Sequence, residues 1–392
     1  MTMRRGLSCS YVARNLMSRK LTTIITATGM ALVVFVFATV LMMTEGLRHT
    51  LAGTGSYNNV IIIRQGSQTE VQSTVTREQA NLIASLPGLA SHSTHGPMVS
   101  REVIVLVNVP RQDGEGLANI VVHGTTPVGI GMREQIRVVE GRSFRPGSSE
   151  IIIGKGLTRG KLGLRLGGVL NFGQREWRIV GVFDAGSSGF DSEVWADSEQ
   201  MMQAFRRQSY SSLVVGLRDA NSFDTFAEAL EQKPNIKVDI RRESLFYADQ
   251  SKKMSGFIEI LGKSITLIFS IGAVIGAMIT MYASVANRTQ EIGTLRALGF
   301  QRMNIISAFI QEAMLLGALA GAIGLGLASF MQLVEISTTN IQTFSEVVFR
   351  LILTPTIVVQ VMLFSIFMGV LGGVLPAIRA ARLEIVNALR FG

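Results

Sequence analysis

Histidines, a serine–glycine pair, carboxylates and a Gly-Lys-Ser triplet are the places where this chain could do chemistry. His92 and His95 form an H-x-x-H pair, with His123 further on, a spacing that hints at a metal. Imidazole pairs hold zinc when a glutamate or cysteine completes the set. Neither stands at ligand spacing here, so the three are read as surface-loop histidines and no metal site is assigned. Ser187-Ser188-Gly189 lacks the G-x-S-x-G elbow that exposes a nucleophile. Asp184, Asp191 and Glu193 share a Gly/Ser-rich stretch, read as a flexible tip rather than an acid/base pair. Gly262-Lys263-Ser264 is the tail of a phosphate-cradling loop. That loop needs a glycine five positions earlier, where Phe257 stands, and it must follow a strand. No catalytic or cofactor-binding residue is assigned.

What must position any function is a membrane. Uncharged runs at 264–287 and 313–334, 24 and 22 residues long, are each long enough to cross a bilayer as a helix. Two more stand at 21–44 and 351–378. The first could be a signal peptide, but its core is long and no small-residue cleavage site follows Thr39, so an uncleaved anchor is expected. The chain has 392 residues, 47% hydrophobic and 17% charged, which fits an integral membrane protein with a sizeable soluble part.

The net charge of +9 could suggest nucleic acid. Its distribution excludes that: residues 1–20 carry +5, the 288–304 loop +2 and the 379–392 tail +2, whereas 46–254 carries only +3. Basic residues in short membrane-flanking segments mark the cytoplasmic side. Both termini and the 288–304 loop are therefore expected inside and the large insert outside. Cys9, the one cysteine, precedes the first span, so the insert holds no disulfide and depends on its core.

The segments read as 1–20, cytoplasmic; 21–45, first span; 46–255, an extracytoplasmic α+β domain of two lobes; and 262–287, second span. After these come 288–304, a cytoplasmic hairpin; 305–334, third span; 335–351, a short external loop; 352–378, fourth span; and 379–392, a cytoplasmic tail. In the insert, β-branched runs at 60–63, 102–109, 120–122 and 151–153 are separated by glycines, as strands are by turns. Thr76-x-x-Gln79 is a capping-box start for a helix to Leu86, and 197–207 and 222–231 read as two more helices.

The hairpin is the most informative segment. It sets Arg288, Arg296 and Arg302 against Glu291 between two spans. Ile292, Leu295 and Leu298 recur at i, i+3 and i+6, read as one apolar stripe for a groove in a partner. Gly293 and Gly299 allow close approach and a sharp exit, and Glu291 and Arg296 could anchor the rim. Glu312 is an ionisable residue inside the third span and a functional candidate by default. Gly272-x-x-x-Gly276 and Gly317-x-x-x-Gly321 offer small faces for helix packing, within one chain or between two.

The order of parts resembles the MacB/FtsX-type (type VII) permeases of ABC transporters. NRTQEIGTLRALGFQRMNIISAFIQEAMLLG is similar to the family signature around the second and third spans, and PAIRAARLEIVNALR to its C-terminal signature. HGTTP, EGRSF, IIIGKGLTRGKLGLRLGG and WRIVGVFD are similar to the periplasmic core domain, and RNLMSRKLTTIITATGM to an amphipathic lead-in. Phe300 and Ile385 depart from the family's usual Ala and Pro, and 91–115 matches poorly.

The resemblance implies a bacterial inner-membrane subunit and a homodimer over two ATPases. ATP and Mg would be bound by that partner ATPase, with no cofactor on this chain. It also implies a structural, gate-stiffening Glu312 and leaves room for a periplasmic adaptor or outer-membrane partner. Because charge is nearly absent from the spans, the expected substrate is captured outside or in the outer leaflet. The alternative is a membrane-anchored mechanotransmitting scaffold that regulates a cell-envelope hydrolase or signalling partner.

Overall fold

Four helices are long and apolar enough to cross a membrane among the residues that the structure, a computed structural model, describes: 20–92, 96–111, 114, 116–159, 162–219, 222–233, 236–340 and 343–383. They are α1 (Lys20–Ala52), α6 (Glu243–Asn287), α8 (Arg302–Phe330) and α9 (Pro355–Ala381). Over their apolar stretches the mean hydropathy is 1.9–2.4. The chain divides into two units. The membrane unit holds residues up to 45, 257–334 and 351 onward; the second holds 46–256 and 335–350.

In the membrane unit, α8 and α9 pack through glycine. A Cβ on Gly317 would sit 2.7 Å from the Ser365 carbonyl oxygen, and one on Gly321 2.8 Å from Met362 Sδ. That closeness lets Ser365 Oγ donate to the Gly317 carbonyl at 2.6 Å. Gly324 lies in the same way against Val34 of α1, whose Phe37 ring meets Phe364 at 4.5 Å between centroids. Gly272 and Gly276 differ: a Cβ on either meets nothing within 4 Å. The two G-x-x-x-G motifs look alike in sequence, but only the second is in contact within the described residues. Gly262-Lys263-Ser264 lies inside α6, where helical hydrogen bonds already use the backbone N–H groups that a phosphate would need.

The second unit is built on a ten-stranded sheet. Its strands are β1 (Asn59–Arg64), β2 (Val99–Pro110), β3 (Leu117–Thr125), β4 (Arg137–Gly141), β5 (Glu150–Gly154), β6 (Val169–Phe172), β7 (Arg175–Asp184), β8 (Glu193–Asp197), β9 (Ser212–Gly216) and β10 (Val238–Arg242). Their order is β10-β1-β9-β2-β3-β8-β5-β7-β4, with β6 also on β7. Strand β2 joins the halves: its start pairs with β9 (Glu102↔Ser212) and its end with β3 (Val103↔Gly124 to Pro110↔Leu117).

The runs are apolar without alternation because both faces are covered. Val60, Ile62, Ile151, Ile153, Leu213 and Val215 point into one core, under α2 (Arg77–Ala84), α4 (Ser198–Ala204) and α5 (Ser222–Glu231). Their neighbours Ile61, Ile63, Ile152 and Val214 point into the other, with Phe183, Phe190, Trp195 and Phe246, against the short helix α3 (Pro127–Gly131). The Thr76 capping box forms with Gln79, but α2 ends at Ala84, before Leu86.

The expected loop at 335–351 is instead a β-hairpin. Strands β11 (Glu335–Thr339) and β12 (Glu346–Arg350) pair with each other and belong to the second unit. Val347 and Phe349 are buried, the Val348 N–H donates to Ser192 Oγ at 3.0 Å, and Arg111 pairs with Glu346. The β-branched and aromatic run Val347-Val348-Phe349 was the strand signal, hidden by the length of the flanking spans.

Candidate functional site

Helix α7 (Thr289–Ala297) follows α6 after a break at Arg288 and is closed by Gly299. Gly299 has φ +93°, its N–H donates to Arg296 O at 3.1 Å, and the Phe300 N–H reaches Leu295 O at 3.2 Å. This paired C-terminal capping needs a left-handed residue, which glycine supplies without strain.

The stripe expected for a partner does not hold as one face. Ile292 is buried with Val285, Ile305, Phe309, Ala313 and Ala380 of its own unit. Gly293 is buried too, Leu295 and Arg296 are half-buried, and Leu298 is 73% exposed. The reason is geometric: positions three apart drift by about 60° on a helix of 3.6 residues per turn. Over two such steps the row turns from core to solvent. The face that stays outward is Glu291, Thr294 and Leu298, at i, i+3 and i+7.

Arg288 Nε donates to Glu291 at 3.0 Å, and Arg288 Nη1 donates to Glu312 at 3.0 Å, with the guanidinium over the Phe309 ring. Arg288 and Glu312 are both buried. The costly carboxylate of the third span is therefore neutralised by the residue at the α6–α7 break, which ties α7 to α8. The sequence showed both residues; their pairing across 24 positions carried no local signal.

The second unit holds a larger buried charge cluster that sequence reasoning missed. Arg133, with no exposed surface, clasps both oxygens of Glu102 at 2.7 and 3.0 Å and donates through Nε to Glu243 at 2.8 Å. Its guanidinium lies over Phe190 and Trp195, 5.1 and 5.3 Å from their centroids. Glu243, the first residue of α6, also accepts from Asn59 Nδ2 at 2.8 Å and from the Ser56 N–H at 2.9 Å. His123 corrects its own reading: it is 1% exposed, bridging Glu102 at 2.9 Å and Glu193 at 3.0 Å. Burial opposes its charge, yet Glu102 and Glu193 push its pKa up to about 10. Burial alone would raise Glu102, but Arg133 and His123 hold its carboxyl well below the usual range.

His92 lies in a short strand and His95 outside the described residues. No metal-binding cluster occurs among the described residues. The 184–191 loop is held rather than loose, since Asp191 accepts from the N–H groups of Ala185 and Ser187 at 2.7 and 2.8 Å, and Asp184 pairs with Lys155.

Comparison with known proteins gives this architecture a family. The MacB-like periplasmic core domain matches residues 23–233, more than half of the chain, and the FtsX-like permease C-terminal domain matches residues 263–385. The chain belongs to the MacB/FtsX-type permeases of ABC transporters.

A macrolide export ATP-binding/permease protein MacB of Hahella chejuensis is 28% identical over 272 residues, 66% of this chain and 39% of that protein. The Psychrobacter cryohalolentis MacB is 30% identical, covering 57% and 34%. An uncharacterized ABC transporter permease of Methanocaldococcus jannaschii is 23% identical, covering 58% of each chain. This permease thus spans about two fifths or less of the length of the MacB relatives. The periplasmic region of MacB from Actinobacillus actinomycetemcomitans overlays 51% of this chain and 93% of its own at 14% identity, with a TM-score of 0.38. By the family match to residues 23–233, the 46–256 part of the second unit is the extracytoplasmic domain of an ABC transporter permease, lying in sequence between the first and second spans.

Proposed function

We propose that this permease receives ATP-driven motion from an ABC ATPase at α7 and passes it to its extracytoplasmic domain, which exports or extracts a substrate taken from outside or from the outer leaflet. The ATPase is expected on a separate chain, with the 288–304 hairpin and both termini on the cytoplasmic side. The observation that carries this is α7 itself. It is fixed from behind by Ile292 and by the Arg288–Glu312 pair, and it leaves Glu291, Thr294 and Leu298 outward as a docking face.

Two features support the rest of the reading. Residues of α1 and α6 belong to both units, so the chain passes between them within helices, which transmit displacement better than loops. The spans are nearly free of charge, which favours a substrate that does not cross through them.

The test is co-purification of an ATPase with the full chain from its native membrane. Glu291→Lys with Leu298→Glu should abolish it while membrane insertion persists. Unchanged co-purification sinks the docking assignment. For the topology, a Ser148→Cys variant should react with an impermeant thiol reagent from outside and native Cys9 should not; labelling of both refutes it.

A further inference from the structure

A cavity of about 50 Å³ lies inside the extracytoplasmic unit, and the three segments of that unit adjoining the spans in sequence all line it. Leu51 and Thr54 come from the end of α1, Tyr247 and Gln250 from the start of α6, and Asn340 and Glu346 from the β11–β12 hairpin. At its wall is Glu70, a buried carboxyl outside the Arg133 clasp. Its direct partners are hydroxyls: Tyr247 Oη at 3.2 and 3.3 Å and Ser212 Oγ at 3.4 Å. Gln250, 7% exposed, also lines the cavity, and its Nε2 has no partner among the described residues. Such a polar cavity is large enough for water, the usual partner of buried amides.

Glu102 and Glu70 thus meet opposite fates in one core. A guanidinium and an imidazolium surround the first, whereas two hydroxyls and a small cavity surround the second. A carboxyl so placed is held more easily with its proton than without it. We infer that Glu70 is a proton-binding latch: neutral, it lets the ends of α1, α6 and the hairpin close on the cavity, and ionised, it loosens them.

The groups facing it are Tyr247 from α6, His123 from β3, Glu102 from β2, Glu193 from β8, Arg133 and, across the cavity, Glu346 from the hairpin. Burial pushes Glu70 up to about 7, with Glu102 and Glu193 adding and His123 and Arg133 opposing. A carboxyl with a raised folded pKa stabilises below its unfolded value, and that contribution is lost as pH rises through the folded value. The window is therefore pH 4.5 to 7. His123 acts in the same direction at higher pH, between 6.5 and about 10.

The test is hydrogen exchange on the full chain in lipid nanodiscs, corrected for intrinsic rates, at pH 5 and pH 7. In the wild type, opening of 46–54, 243–256 and 335–350 should increase by about tenfold or more. In Glu70→Gln, which keeps the neutral shape, the same segments should change only by the few-fold that His123 contributes. Equal pH dependence in both proteins overturns the latch. Infrared difference spectra add a readout independent of these dynamics. A protonated-carboxyl component should be lost from the wild type between pH 6 and 8, above the range of ordinary carboxyls, and be missing from Glu70→Gln. A band that is missing from the wild type, or that is unchanged in the variant, overturns it equally.

Discussion

Among the described residues Arg133 and Arg288 are the buried arginines, and their surroundings differ. Arg133 in the extracytoplasmic unit is sealed on every side: Glu102 takes two of its hydrogen bonds, Glu243 another, and two aromatic rings cover its faces. Arg288 in the membrane unit pairs with Glu312, which is buried, and with Glu291, whose side chain is 59% exposed, and lies over the Phe309 ring. A saturated clasp is costly to break because removing one member strands the other charges in low dielectric. A site with one exposed carboxylate fixes a position at lower cost, because solvent can take over that partner's role. The difference teaches where rigidity is placed. The extracytoplasmic core is locked at the root of α6, while the element proposed to meet an ATPase is held by a site that reaches the solvent edge at Glu291.

The largest effect should come from Arg133→Met, which leaves Glu102 and Glu243 without their guanidinium. A loss of about 3–5 kcal/mol is expected, read by denaturation and by protease sensitivity of residues 46–256. A loss below about 1 kcal/mol would erase the contrast between the two sites.

Next is Glu312→Gln, expected to cost about 1–3 kcal/mol and to free α7. In a background without native Cys9, a cysteine at position 292 should become reactive to a thiol probe in this variant but not in its parent. The swap Arg288→Glu with Glu312→Arg should restore protection. A probe pattern indifferent to all these changes would mean that the pair does not position α7.

The smallest effect is that of Glu291→Gln, because this side chain is largely exposed and surface pairs contribute about 0–1 kcal/mol. Stability should stay within about 0.5 kcal/mol of the wild type. A larger fall would show that the edge of the Arg288 site is as closed as the Arg133 site.

Much of the scaffold was legible because its signals are local. Uncharged runs gave the spans, Thr76 and Gln79 gave a helix start, and β-branched runs gave strands β1, β2, β3 and β5. The misreadings came where a partner lies far along the chain. His123 looked like a loop residue because its carboxylates stand 21 and 70 positions away. Ile292 looked available to a partner because spacing alone does not say which side of a short helix its own bundle occupies. Gly272 and Gly317 looked equivalent because a glycine motif does not name its neighbour.

The sequence by itself determined that this chain spans a membrane, that its domain folds without disulfides, and that a charged hairpin separates two spans. Length, charge and periodicity are properties of contiguous residues, so they survive without coordinates. Only the tertiary structure decided which buried charges neutralise one another, that the 335–350 hairpin belongs with the extracytoplasmic unit, and which face of α7 stays open. Those depend on burial and on distances of a few ångströms between segments remote in sequence. The low dielectric that results makes an arginine, a histidine and three glutamates act as one unit.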